Sequence, residues 1–206
     1  MRDLILKVYG LFTVAAPAAA VYCLLRRRVP SASRGAAYPL LIALFTFYIA
    51  AVFHVTGAGT LSDLLRFGLE LRPSQLNLTF FASPPSSLGY RLNVLLFLPL
   101  GLLLPVIWPR LRRWWAAGLA GLAFSLLIEG SQLLNDRVTD LDDLTANLLG
   151  ALLGYAAWRL AALVCPRLCV PGRRAAGEPL FYVGAMFLGR FLLFDEFHLA
   201  KLLYGF

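Results

Sequence analysis

Five stretches of this sequence are apolar enough, and nearly or fully long enough, to cross a bilayer, and no other feature constrains its fold as much. A spanning helix needs roughly 20 mostly apolar residues. The runs occupy residues 4–25, 38–56, 92–108, 114–134 and 143–164. The third is short and contains Pro99, Gly101 and Pro105. A sixth run, 179–194, is ambiguous: Arg190 within so few residues favours the membrane surface or a short, imperfect span over a full crossing. Hydrophobic residues make up 60% of the chain and charged ones 15%, against about a quarter charged in soluble proteins. That balance excludes a water-soluble domain, a disordered chain and a disulfide-stapled secreted scaffold. The first run does not read as a secretory signal: it lacks a basic start before a short apolar core, and Arg26, Arg27 and Arg28 follow it where a cleavage site belongs. The expected fold is an all-α polytopic transmembrane bundle of five spans, with the sixth run undecided.

Arginine placement orients the bundle. Arg26, Arg27, Arg28 and Arg34 follow the first run; Arg110, Arg112 and Arg113 follow the third; Arg159, Arg167, Arg173 and Arg174 end the fifth. These 11 cations share one side of a five-span path, whereas Arg2, Arg66, Arg72, Arg91 and Arg137 make 5 on the other. Cytoplasmic loops carry the excess of positive charge, so loops 57–91 and 135–142 are expected outside the cytoplasm. Clusters this short beside apolar runs are topology signals, not a nucleic-acid surface. Cys23, Cys165 and Cys169 all fall near the inner face, where thiols stay reduced. In the long 57–91 loop, Leu61, Leu64, Leu65 and Leu69 mark one face of a short interfacial helix that Pro73 stops. Leu76, Leu78 and Phe80 alternate with polar residues, as in an extended piece.

The acids are concentrated. Of 11 in the chain, five lie between 129 and 143: Glu129, Asp136, Asp140, Asp142 and Asp143. Glu129 sits inside the fourth run, where an ionisable group faces the bundle interior and marks function by default. Ser125 and Gln132 share its helical face, which continues through Gly121 and Ala117. In the fifth run Asp143, Asn147, Gly150 and Gly154 form a stripe, with Gly150 and Gly154 as a close-contact pair. The third run is preceded by Arg91 and holds Asn93 near its start. An outward-facing polar pocket of Arg91, Asn93, Glu129, Gln132, Arg137, Asp140, Asp142, Asp143 and Asn147 is therefore expected. Each residue also has a plainer role. Asp140 and Asp142 suit a helix N-terminus, Asn93 and Asn147 suit inter-helix hydrogen bonds, and Arg137 suits neutralising its acidic neighbours. Lys7 can snorkel, and His54 and Asp136 suit the interface and the solvated loop.

Three segments in order resemble the VanZ-like family of bacterial membrane proteins. They are Asn93 to Pro105 with Pro99 and Gly101; Ser125 to Gln132 with Glu129, followed by Arg137; and Asp140 to Tyr155 with Asp142, Asp143, Asn147, Gly150 and Gly154. Leu76-Asn77-Leu78 with Phe80-Phe81 looks like the short motif preceding them. The resemblance implies a multi-pass protein of the bacterial cell membrane, with a VanZ-like domain over 1–170, its motif core at about 75–155, and an amphipathic or short membrane-associated tail over 171–206. The namesake of the family is associated with resistance to teicoplanin, and no settled reaction comes with the name.

Two functions follow as expectations. One is a binding protein whose outward pocket takes a glycopeptide, a lipid-linked cell-wall precursor or an envelope lipid head group. The other is an integral-membrane enzyme on a lipid-linked substrate, with the carboxylates holding a divalent cation or sharing acid–base work. The sequence offers it no partnered nucleophile, P-loop or zinc motif. A transporter ranks last, since the inner halves of the third to fifth runs are Leu, Ala and Gly.

Overall fold

The computed structural model describes residues 2–28, 37–68, 75–77, 79, 84–135, 137, 139–165 and 177–205. Its helices are α1 (Arg2–Arg28), α2 (Tyr38–Thr56), α3 (Leu61–Phe67), α4 (Leu88–Ile107), α5 (Trp114–Gln132), α6 (Leu141–Val164), α7 (Glu178–Leu193) and α8 (Glu196–Tyr204). Five of them, α1, α2, α4, α5 and α6, are long and apolar enough to cross a membrane. Two-residue strands β1 (Leu76–Asn77) and β2 (Thr139–Asp140) pair in parallel. Leu69, Pro73, Leu78, Phe80, Asp136 and Cys169, and Arg34, Arg72, Arg167, Arg173 and Arg174, lie outside the described residues.

Helices α4 and α6 pack backbone to backbone. A Cβ at Gly150 would stand 2.3 Å from the Val94 carbonyl oxygen, and one at Gly154 would stand 2.0 Å from that of Leu98. Gly101 returns the contact from α4, where a Cβ would meet the Ala151 oxygen at 1.9 Å. Without a hydrophobic force between helices in lipid, this close approach is what small residues supply. Helix α5 lays its stripe on the same pair, and Ala117, Gly121, Ser125, Glu129 and Gln132 are all buried. These three helices form a rigid frame.

The second part of the bundle is α1 against α7. Residues 179–194, undecided by sequence, form a helix antiparallel to α1: Tyr9 donates to the Leu193 carbonyl near one end, and Gly189 meets Thr13 and Pro17 further along. At the other end Tyr38 donates to Glu178, and Tyr182 and Met186 are fully buried. Sixteen residues rise about 24 Å, most of a hydrocarbon core. Arg190, which made the run look like a surface segment, is buried. Between the two parts sits an aromatic core in which Phe45 meets Trp108 edge-on at 5.1 Å and Trp108 lies 6.2 Å from Tyr182.

The bundle has two distinct ends. One carries Arg26 to Arg28, Arg110 and Arg113. The other, called here the α3 end, carries α3, α8, β1–β2 and the turn at 57–60. Thr60 caps α3 reciprocally with Asp63, which ties the short helix to the end of α2.

Candidate functional site

The polar residues singled out in the sequence gather at the α3 end, in two places. The first is a hydrogen-bonded lattice among α4, α5 and α6. Asp140 is the N-cap of α6, and its Oδ1 accepts from the Asp142 N–H at 2.9 Å. Its own N–H donates to Glu129 Oε2 at 3.3 Å, and Asn77 Nδ2 donates to its Oδ2 at 3.1 Å. Asn93 Nδ2 donates to Asp143 Oδ1 at 2.5 Å, linking α4 to α6. Asn147 Nδ2 donates to Ser125 Oγ at 2.8 Å, linking α6 to α5. Glu129, Asp142 and Asn147 are each at most 3% exposed. Asp140 and Asp143 are close enough to act electrostatically on Glu129, so the lattice holds several acids within one low-dielectric region. Among the described residues, no three His, Cys, Asp or Glu side chains are placed to hold a metal ion.

The lattice also positions a loop. Gln132 Nε2 donates to the Thr56 carbonyl at 2.7 Å, Asn135 Nδ2 donates to that of Gly57 at 3.1 Å, and the Gly59 N–H donates to Ser131 Oγ at 3.0 Å. Gln75 Nε2 in turn donates to the Asn135 carbonyl at 2.8 Å. The end of α5 is thus stitched to the end of α2. Arg137 then lies flat over Gly57, whose backbone has φ +62° and where a Cβ would be 2.6 Å from Arg137 Nε. Only glycine accommodates both the left-handed turn and that guanidinium.

The second place is a cavity of about 420 Å³ beside this loop, with Arg137, Asn135, Arg66, Asp63, Arg190 and Glu196 in its wall. Of the predicted pocket, Arg137 alone reaches it. Asn93, Glu129, Asp140, Asp142, Asp143 and Asn147 join the lattice instead, Gln132 bonds to α2, and Arg91 is exposed. The spacing of the acids reveals their common end but not their donors, since Asn77 and Asn93 reach them from other elements, β1 and α4. Arg190 and Arg66 enter the sequence reading only as the break in the sixth run and as an outer-side cation, not as pocket residues. The available signal was the insertion cost of Arg190 within an apolar run, which reads equally as a broken span. Two amide oxygens in the region, Gln132 Oε1 and Asn147 Oδ1, are buried with no hydrogen-bond partner among the described residues. His54 and Lys7 are exposed, and α3 buries none of its residues.

No curated protein and no solved structure matches the chain. The VanZ/LLP1 family model matches residues 36–162, well over half of the 206. That segment runs from just before α2 through almost all of α6, and so contains the whole frame and lattice. With five membrane-crossing helices and this match, the chain is a multi-pass membrane protein belonging to the VanZ/LLP1 family.

Proposed function

We propose that this protein binds an envelope ligand at the extracytoplasmic face of a bacterial cell membrane, in the cavity beside Arg137. The ligand classes are a glycopeptide such as teicoplanin, a lipid-linked cell-wall precursor and an envelope lipid head group. The carrying observation is the 420 Å³ cavity itself, walled by Arg137 and Asn135 at the end opposite the arginine clusters. The positive-inside rule supports placing that end outside. The lattice serves as a scaffold: it fixes the turn at 57–60 and the segment carrying Arg137, and a preorganised site loses less entropy on binding. A contribution to glycopeptide resistance would be the cellular form of this activity.

The enzymatic reading fits the geometry less well. Asp140 is engaged as a helix cap and as Asn77's acceptor, and Asp143 accepts from Asn93. These are the bonds of structural acids, and a catalytic pair needs a free face toward substrate.

The test uses the full-length protein in neutral detergent, titrated with teicoplanin, a soluble precursor head-group analogue and dioctanoyl phosphatidylglycerol. At least one should bind saturably, and Arg137→Ala should weaken it by about tenfold, the worth of one charge-assisted contact. Glu129→Ala should weaken the same ligand by loosening the Asp140 segment. Affinity unchanged in both variants, or no binding by any of the three, would remove the proposal.

A further inference from the structure

The cavity beside Arg137 is one end of a longer feature. A second cavity, of about 700 Å³, shares Arg190, Phe194 and Glu196 with it and runs between α1 and α2 past Lys7, Gly10 and Phe47. A third, of about 450 Å³, shares Leu11 and Phe47 with the second and continues to Tyr22 and Pro39. From Leu6 to Tyr22 this path follows α1 for about 24 Å at 1.5 Å per residue, most of the ~30 Å hydrocarbon thickness of a bilayer. Its wall is apolar from Leu11 to Tyr22 and mixed nearer the charged end, where Lys7 and His54 join it, and Val8 and Phe47 along it are 57% and 62% exposed, so it opens sideways from the bundle.

The charged end has the opposite chemistry. Three guanidinium groups, Arg66, Arg137 and Arg190, face two carboxylates, Asp63 and Glu196. Asp63 is already engaged in the α3 cap, accepting from the Thr60 N–H at 2.8 Å and its hydroxyl at 2.9 Å. Arg190 is 6% exposed, and its Nε–H has no hydrogen-bond partner among the described residues. Its guanidinium lies 3.4 Å over the Phe194 ring, and that of Arg66 lies 3.8 Å over Phe197. Contact with a ring restrains both guanidinium groups, which lowers the entropy lost when they bind an oxyanion. A buried donor without a partner is costly unless something fills it.

We infer that this composite site binds an anionic phospholipid, its phosphoester against Arg190, Arg66 and Arg137 and one hydrocarbon chain in the α1–α2 groove. The inference rests on the binding role proposed above and assigns its ligand. Apolar length and cationic head coincide at Arg190, which lines both spaces, and an amphiphile with a phosphate at the membrane surface has that same arrangement. A soluble phosphate would use the arginines and leave the groove without purpose. Lys7, on the groove's outer stretch, adds a further cation near the head group.

The full-length protein in neutral detergent should bind dioctanoyl phosphatidylglycerol saturably. Dioctanoylglycerol, which lacks the phosphate, and inorganic phosphate should each bind at least about tenfold more weakly. Arg66→Gln and Arg190→Gln should each lower phosphatidylglycerol affinity about tenfold. Arg66 is exposed, so its variant should do so with an unchanged melting temperature. Ala51→Phe, filling the groove, should weaken the lipid and leave phosphate binding as it was. Equal affinity for the two lipids, phosphate binding as tight as the lipid's, or affinity unchanged in Arg66→Gln would overturn the inference. Teicoplanin binding that needs Arg137 but ignores Arg190→Gln and Ala51→Phe would overturn it while sparing the broader binding role. Loss of every ligand's dependence on Arg137 would sink both.

Discussion

Gly154→Ala should destabilise the protein by about 2–3 kcal/mol, although alanine is the better helix former. The added carbon would lie 2.0 Å from the Leu98 oxygen, 2.9 Å from its carbonyl carbon and 3.0 Å from the Leu102 nitrogen. All three are backbone atoms of α4, so no side-chain rotamer relieves the clash. Ordinary contact begins near 3.4 Å, so α6 must retreat by roughly 1.4 Å along that line, enough to lose much of the local dispersion attraction. Overpacking of this kind typically costs about 1–3 kcal/mol. The strain should reach the upper part of that range, because the same displacement opens the Gly150–Val94 approach and stretches the 2.5 Å bond from Asn93 to Asp143. Helix propensity returns up to about 1 kcal/mol. Gly130→Ala in α5 is the control: no described atom lies within 4 Å of its Cβ position, so it should be neutral or stabilising by up to about 1 kcal/mol. Reversible unfolding in mixed micelles, followed by the fluorescence of buried Trp108 and Trp158, measures both. If Gly154→Ala proves as stable as Gly130→Ala, α4 and α6 do not touch through their backbones and the frame described here is wrong.

Two further outcomes are expected. A double-mutant cycle between Ser125→Ala and Asn147→Leu should give a coupling of about 0.6–1.7 kcal/mol, the range for hydrogen bonds between helices in a membrane, because their side chains are 2.8 Å apart and buried; zero coupling would take that bond out of the lattice. In a chain with its native cysteines replaced, Arg137→Cys should react with a membrane-impermeant maleimide on intact cells and Arg113→Cys only after permeabilisation, both positions being exposed; the reverse pattern would invert the orientation on which the binding role depends.

The spans were legible because each is set by a local count. About 20 apolar residues make a crossing whatever the rest of the chain does, and α2 runs over the residues expected. Helix α6 starts two residues before the apolar stretch does, because Asp140 supplies a cap that hydrophobicity cannot register. The small-residue stripes of α5 and α6 were legible for a similar reason: periodicity alone puts Gly121, Gly150 and Gly154 on contact faces. The partition of the polar residues was not legible. Whether Arg137 meets the acids or turns from them depends on Gly57 at the far end of another helix, and on Asn135 finding that glycine's carbonyl. No one-dimensional pattern contains such a pairing.

Arg190 shows where the same logic leads. A guanidinium inside a 16-residue apolar helix would be expelled from lipid unless the bundle received it, and the bundle does so between Phe194, Gly10 and the α3 end. The family match covers residues 36–162, which include Arg66 and Arg137 but neither Arg190 nor the α1 wall of the groove. The scaffold and two of the three arginines thus belong to the family segment, while the third arginine and much of the apolar path come from the flanking helices. On the amphiphile reading, the family segment supplies a rigid platform with a cationic rim, and α1 with α7 supply what selects a lipid over a soluble anion. Ala51→Phe, which fills the groove that α1 forms against α2, and Arg190→Gln on α7 separate chain contacts from head-group contacts: the first should remove chain selectivity and keep the arginines, and the second should weaken head-group binding and leave the packing of α4 on α6 untouched. A single defect common to both variants, extending to the unfolding of the α4–α6 frame, would mean the two parts are one cooperative structure and that selectivity cannot be assigned to the flanking helices.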